Sequence, residues 1–492
     1  DRQRHWFDPS PVNEDGAEEG DADARMDMAD WGYEPVWTRQ DRANDEDTEG
    51  DEEAGSALVL CNGKGFSDHL AARLRASGID VVTVRAGRRR SRRGEGAFVI
   101  RPSRREDWAW LLEALSEQGR LPARAYHCWL VQEDRKTTDQ GVLDRGLFAL
   151  AAMAPELSAT CDGVDIVVVT DRAQRVAGDR DVAPLKAAAL GARGSIAAEY
   201  PDLRFSPVDI ESGIQEGAAL RGSIEAVLRE PRIGSGSEVA IRAGERWTLG
   251  YRPSAQAFGG SPGALLTPGG TYLVTGGLGG IGLTIAGMLA RTCAARIALL
   301  SRTALPARGQ WETLLEQGDL QPAIADKLRG VIDLELAGAK VEVVVADVAD
   351  ARALRRAVRQ VEAQFGRIEG VFHTAGTIDD ELVETRRPDA MQAVLRPKVG
   401  GTLALEKVLA SQPPEFLMLF SSISAFAGLP GQADYAAANA FLDAYAQSRR
   451  NDPLTRVISV GWSQWAEVGM AAALARRDVP SAGQAAELAP GR

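Results

Sequence analysis

The sequence predicts an α/β protein made of two successive doubly wound units. Short β-rich runs alternate with helical stretches along most of the chain, which is the pattern of a parallel sheet covered on both faces. The length of 492 residues leaves room for two or three domains. A Gly- and Pro-rich stretch at 258–270, containing Ser261-Pro262-Gly263, divides the alternation into two parts.

Residues 1–30 read as an upstream linker, acidic over 14–23 and opening on Asp1 rather than Met, as in a piece cut from a longer polypeptide. The first folded unit is expected over 31–255. Its β-rich runs lie at 57–61, 81–84, 97–100, 126–131 and 165–170, separated by helical stretches such as 68–76 and 107–115. Within it, the acidic run 41–53 reads as a solvated segment and the basic run 85–93 as an exposed loop. The first strand leads into Asn62-Gly63-Lys64-Gly65-Phe66, which lacks the third close glycine of a dinucleotide turn. This unit is therefore expected to be degenerate: a nucleotide-binding type of fold with a structural role and no nucleotide.

A linker is expected at 256–270 and a second, catalytic unit over 271–475, with strands at 272–275, 296–301, 341–346, 370–373, 415–421 and 456–462. Residues 476–492, Ala-rich with Pro480 and Pro490, read as a downstream linker. Two units of similar size suggest a duplication, although no residue-level repeat supports one.

The bulk composition narrows the function. Hydrophobic content of 45% and charged content of 26% are those of an ordinary globular protein. No apolar run reaches the ~18 residues of a transmembrane helix, so no membrane partner is expected. A net charge of -12 argues against nucleic acid. The four cysteines, Cys61, Cys128, Cys161 and Cys293, are widely spaced and read as reduced thiols of a cytoplasmic protein. Only four histidines exist, none at ligand spacing, so no metal is expected.

The second unit opens on the most informative turn. An apolar strand ends at Thr275 and runs through Gly276, Gly277, Leu278, Gly279, Gly280, Ile281 and Gly282 into a helical pattern from Leu283. Strand, glycine turn and helix in that order form a pyrophosphate cradle, and the turn is assigned to a dinucleotide, a Rossmann-like site. The next strand ends at Ser301 and Arg302, where NAD enzymes usually carry an acidic residue. A hydroxyl and a guanidinium there favour the 2′-phosphate of NADPH. Ala346, Asp347 and Val348 are expected at the adenine. His373, Ala375 and Gly376 are expected at the nicotinamide ribose, with a metal-ligand role for His373 as the weaker alternative.

Ser422 follows an apolar strand, and Tyr435 lies thirteen positions later. Tyr435 and Asn439 are four apart and so share a helix face. A phenol, with an ordinary pKa of about 10, is a poor acid near neutrality. Beside a hydroxyl and a dinucleotide, it suits proton donation to a carbonyl that receives hydride. Lys398 is a candidate cation for the same site. Taken singly, Lys398 reads as a surface lysine and Asn439 as a polar residue on a helix face.

These residues resemble the short-chain dehydrogenase/reductase superfamily and, more closely, the ketoreductase domains of modular type I polyketide synthases. Most of the superfamily places lysine four after the tyrosine. The polyketide ketoreductases place asparagine there and bring lysine from the preceding helix, the pattern matched by Asn439 and Lys398. The phrase Ala436-Ala437-Ala438-Asn439-Ala440-Phe441-Leu442-Asp443 is typical of them, as is Val460-Gly461-Trp462. The likeness extends from about 33 to 470 and takes in Tyr33-Glu34-Pro35-Val36-Trp37, which is similar to the start of the family's cofactorless subdomain. His5-Trp6-Phe7 resembles the end of a linker after an upstream synthase domain.

The resemblance implies a role for each residue. Tyr435 protonates the ketone oxygen of a β-ketoacyl thioester on an acyl carrier protein, with NADPH as hydride donor. Ser422 is the second donor, Lys398 favours the phenolate, and Asn439 orients Lys398 or a relay water. Lys398 and Tyr435 also count among the cofactor contacts. Neighbouring synthase domains are the other implied partners, around a monomeric reductase unit in a larger dimeric assembly.

Ile378-Asp379-Asp380 is similar to the Leu-Asp-Asp fingerprint of B-type ketoreductases, which make the D-hydroxyl, although a polar loop cap is an alternative for Asp379 and Asp380. The A-type tryptophan would stand at Ala427, and Pro430 fits the B-type pattern. Trp462 is placed on the substrate side. Asp434 departs from the family, where asparagine often precedes the tyrosine, and is expected to face solvent. Residues 465–475 are expected to form a lid. Two other readings stay open: a catalytically silent scaffold domain, and a free-standing short-chain reductase of small ketones.

Overall fold

The chain folds into two sheets in a computed structural model that describes residues 32–40, 55–63, 65–131, 137–213, 216–230, 238–254, 265–318, 320–463, 465 and 469. The first sheet holds β1 (Tyr33–Gln40), β2 (Ser56–Cys61), β3 (Val81–Ala86), β4 (Ser91–Arg92), β5 (Ala97–Ile100), β6 (Pro122–Leu130), β7 (Val164–Asp171), β8 (Leu203–Ile210), β9 (Val239–Arg242) and β10 (Glu245–Pro253). Its order is β1-β10-β9-β8-β7-β6-β2-β3-β5-β4. The second holds β11 (Thr271–Thr275), β12 (Arg296–Ser301), β13 (Lys340–Val345), β14 (Gly370–His373), β15 (Phe416–Ser422) and β16 (Arg456–Trp462), in the order β13-β12-β11-β14-β15-β16.

All pairings of the second sheet are parallel. Counted from its own first strand, the order is third, second, first, fourth, fifth, sixth, the doubly wound arrangement. The parallel strands of the first sheet, β2, β3, β5, β6, β7 and β8, follow the same order, with β9 adding a seventh parallel strand beside β8. The duplication that no residue repeat supports is therefore present in the topology.

The strands expected from apolar runs are found, most with the same length or one or two residues longer. Of the strands that were not expected, β9 is a short buried run of four residues and the others lack a clean apolar signature. β8 carries Pro207, which argues against a central strand. β1 and β10 pair antiparallel at an edge and are mostly half-buried or exposed. The glycine-turn helix starts at Gly280, three residues before the Leu283 expected. The 1–30 and 476–492 linkers lie outside the described residues, as does most of the 256–270 linker. Of the expected lid, only Trp465 and Gly469 are described.

Two helices join the units. The interface helix, Pro184–Glu199, belongs to the first sheet; the catalytic helix, Ala433–Ser448, to the second. One apolar cluster runs across both, from Leu190 and Ala189 to Ala437 and Phe441. The approach is close enough to need small residues. A Cβ on Gly191 would stand 2.5 Å from Ala440 Cβ and 2.7 Å from the Ala436 carbonyl. The Ala-rich run of the catalytic helix thus serves helix packing, while its other face carries the polar residues.

Candidate active site

The ends of β11 and β14 flank the point where the strand order reverses, and open α/β sheets bind ligands in that crevice. Gly276 follows β11 with φ +67°, a conformation that disfavours any side chain. A Cβ at Gly277 would meet Leu299 Cα and the Val274 carbonyl at 2.8 Å; one at Gly282 would meet the Gly276 carbonyl at 2.5 Å. The following helix, Gly280–Cys293, has no side-chain cap and no acidic residue in its first turn. Its leading N–H groups and positive dipole end therefore suit an anion. These residues fit a dinucleotide pyrophosphate.

Around that cradle the expected cofactor residues take different positions. Ser301 closes β12, and its hydroxyl accepts from the Thr303 N–H at 3.0 Å. Arg302 follows, exposed. Ala346 and Val348 are buried, and the Asp347 carboxylate already binds Arg396 at 2.9 Å and the Ala349 N–H at 2.9 Å. His373 departs from expectation. Its ring is 1% exposed, with Nδ1 2.7 Å from Thr275 Oγ1, which also accepts from the Ala375 N–H at 3.3 Å. Burial, and secondarily the Lys398 charge, push the imidazole down to about 3, so the ring sharing this hydrogen bond with the Thr275 hydroxyl is neutral. The His373 side chain braces the glycine turn from inside rather than lining a groove.

On the other side of the reversal point, β15 ends at Ser422, and the catalytic helix brings Tyr435, Asn439 and Asp443 along one face, four residues apart. Burial raises the Tyr435 phenol, while the adjacent Asn439 and Ser422 side chains pull it down and Asp380 pushes it up. The phenol is thus held as an acid with two neighbours ready to stabilise its anion. Asn439 donates Nδ2 to the Tyr435 carbonyl at 2.8 Å, so it braces the helix instead of binding Lys398 directly.

Lys398 sits in a π-helical turn, Arg396–Gly400. Pro397 within it lacks an N–H and cannot sustain the regular ladder. Its Nζ donates to the Phe420 carbonyl at 2.5 Å and lies 5.7 Å from the centre of the Tyr435 ring. The side chain is 4% exposed, and burial pushes the ammonium down to about 8 against the pull of Asp443. Asp443 accepts from the Ser459 hydroxyl at 2.6 Å and was missed as a site residue. Its one sequence signal is the spacing of four after Asn439.

The substrate side differs most from expectation. Asp434, expected in solvent, is 3% exposed and paired with Arg386, whose Nε and Nη2 lie 2.9 and 2.8 Å from Oδ2. Burial raises its carboxyl to about 6, opposed by Arg386. The same guanidinium binds Asp379 at 2.8 Å and Glu381 at 3.1 Å. Asp380 accepts from Gln432 at 3.2 Å. Ala427 ends a short helix, Ser424–Ala427, and is exposed, as is Pro430. Trp462 stacks on Phe420 at 5.7 Å and meets Trp465 edge-on at 5.1 Å. On the segments between Asp379 and Tyr435, three large apolar side chains are exposed, Leu382 at 52%, Phe426 at 49% and Leu429 at 41%, with the Phe426 ring 4.8 Å from that of Tyr251 in the first sheet. They too escaped notice, because a lone apolar residue in a loop carries no periodic signal.

Among the described residues no helix is long and apolar enough to cross a membrane. The four cysteines are free thiols.

Known proteins match both halves. Residues 270–467 match the model of the KR domain family, and residues 55–226 a model described as Beta-ketoacyl synthase-like, N-terminal. The chain is 39% identical to a 6-methylsalicylic acid synthase of Aspergillus terreus over 206 residues, 42% of this chain and 11% of that protein. It is 34% identical to a 5-methyl-1-naphthoate synthase of Streptomyces sahachiroi over 302 residues, 60% of this chain and 16% of that one. The chain thus spans a small fraction of the curated relatives it matches. Among solved structures, an A1-type ketoreductase superposes with a TM-score of 0.70 at 27% identity, covering 92% of this chain and 86% of that one. Residues 270–467 thus form a KR domain, the described residues have the two-subdomain Rossmann-like form of the polyketide synthase ketoreductases, and the match implies an oxidoreductase.

Proposed function

We propose that the chain reduces the ketone of a β-ketoacyl thioester, carried on the phosphopantetheine arm of an acyl carrier protein, to the β-hydroxyacyl thioester. The supporting observation is the Tyr435 phenol beside Ser422 at the strand reversal, with the Lys398 ammonium over its ring. When bound, NADPH supplies the hydride. Gly276, Gly277, Gly279 and Gly282 receive its pyrophosphate, and Arg302 with Ser301 receives the 2′-phosphate. Ser422 and Tyr435 donate to the ketone oxygen. As the carbon–oxygen π bond opens, the phenol proton passes to that oxygen, and Lys398 stabilises the phenolate left behind. Leu382 and Leu429 offer exposed apolar surface for the acyl chain. Ile378-Asp379-Asp380, Pro430 and the absence of tryptophan at Ala427 support a D-configured product.

NADPH consumption with a diketide thioester mimic tests this reading, with a longer poly-β-keto thioester alongside, since both curated relatives are named for aromatic acids. The expected result is turnover with a Tyr435→Phe variant slower by about 10² to 10⁴. NADPH binding without turnover of either thioester overturns it, and a mainly L product by chiral chromatography overturns the stereochemical part.

A further inference from the structure

Glu199 ends the interface helix, yet both its carboxylate oxygens bond to the other subdomain. Its Oε2 accepts from the Val383 N–H at 2.7 Å and its Oε1 from the Gly431 N–H at 2.8 Å. Those two N–H groups lie on separate loops. One, residues 379–387, carries Asp379 and Asp380; the other, 428–432, leads into the catalytic helix two residues before Asp434. The loops also bond to each other, the Glu381 N–H donating to the Gly431 carbonyl at 3.1 Å. Arg386 adds a second tie from the first loop to Asp434.

The first subdomain holds the same loops at two more points. Arg105 Nη1 donates to the Glu384 carbonyl at 2.8 Å. Gly428, at φ +64°, touches Gly194 of the interface helix so closely that a Cβ would stand 2.6 Å from the Gly194 carbonyl carbon. A carboxylate is badly placed for its own helix at a C-terminus, where the dipole is negative. Burial also raises its pKa, opposed by the Gly431 and Val383 N–H groups. The position therefore costs the first subdomain stability unless the two N–H bonds repay it.

We propose that Glu199 is a positioning residue: through Val383 and Gly431 it sets the spacing of the two loops that wall the substrate groove, and so determines substrate binding and the carbonyl face presented to the cofactor. This rests on the ketone-reductase reading of the site. The cofactorless subdomain thereby takes part in specificity without touching substrate or cofactor. Shortening the side chain by one methylene, in Glu199→Asp, removes the reach to one loop. Glu199→Gln keeps one acceptor oxygen and turns an N–H₂ towards the other donor.

Full-length Glu199→Ala, Glu199→Asp and Glu199→Gln test it. Amide exchange at Val383 and Gly431 is expected to speed up at least tenfold in Glu199→Ala, and NADPH affinity by fluorescence to stay within twofold. With a thioester substrate, KM is expected to rise about tenfold while kcat falls less. The ratio of hydroxyl enantiomers should erode in the order Gln, Asp, Ala. Unchanged exchange at both amides overturns the proposal whatever the activity. So does an intact enantiomer ratio and KM in a folded, NADPH-binding Glu199→Ala. A wild-type chain inert to every thioester would instead sink the functional reading and leave the exchange result to judge the clamp.

Discussion

The two subdomains wind their sheets in the same order and differ at the turn after the first parallel strand. After β11 the turn is glycine, the helix behind it has no acidic first-turn residue, and side chains there would collide with Leu299 and Val274. After β2 the corresponding place is occupied by its own side chains. Asn62 donates to the Val131 carbonyl at 2.7 Å, and Ser67 accepts the Asn62 N–H at 3.1 Å. Asp68 puts a negative charge in the first turn of the helix Phe66–Ala76, and Phe66 is buried at its start. A phosphate would meet a carboxylate in the first turn of the first unit's helix and none in that of the second. One topology thus yields a binding half and a bracing half by local chemistry alone.

The sharpest break of that contrast lies at the proton donor. Tyr435→Phe is expected to lose about 10² to 10⁴ in kcat with NADPH affinity unchanged, measured by fluorescence titration. Equal turnover in the variant would remove the reason to call the second half catalytic. Next in size is the buried ion pair. Asp434→Ala leaves Arg386 with only its exposed partners, Asp379 and Glu381, and is expected to cost about 3 kcal/mol, read as a lower denaturant midpoint. An unchanged midpoint would return Asp434 to the solvent role its sequence suggested.

A tenfold effect is expected at the cofactor's outer end. Arg302→Ala should weaken NADPH by about tenfold and NADH little, the loss of one charge-assisted bond of about 1.5 kcal/mol. Equal losses for both cofactors would dismiss the 2′-phosphate assignment. The pH profile should follow Lys398. Its ammonium, lowered to about 8, is charged below that pH and neutral above it. The phenolate then loses its cation, so kcat/KM for reduction should decline as pH rises through about 8, and Lys398→Arg should extend the plateau upward. A profile flat to pH 10 would assign the charge elsewhere. The smallest effect belongs to the first turn: Ser67→Ala should leave NADPH affinity within twofold, and a larger loss would show that the first unit also takes part in binding.

Much of this could be read along the chain because its signals are local. The glycine turn at 276–282, the Ser422–Tyr435–Asn439 spacing and the apolar strands each depend on neighbours within one or two elements. β8 and β10 were obscured by Pro207 and by edge polarity. Asp434 was misread because its partner, Arg386, lies 48 positions away and no periodic pattern links them. His373 likewise looked like a groove residue, although the Thr275 hydroxyl beside it turns the ring inward.

The sequence by itself determined which half carries a glycine cradle and which residues are chemically able to donate a proton. Backbone conformation at a turn and the periodicity of a helix are short-range properties, written in consecutive residues. Only the tertiary structure decided that Lys398 is desolvated in a π-helical turn against Phe420, that Arg386 gathers three carboxylates, and that Glu199 reaches across from the other half. Burial and long-range pairing exist only once distant segments meet. They set the charge and spacing on which the groove's chemistry depends.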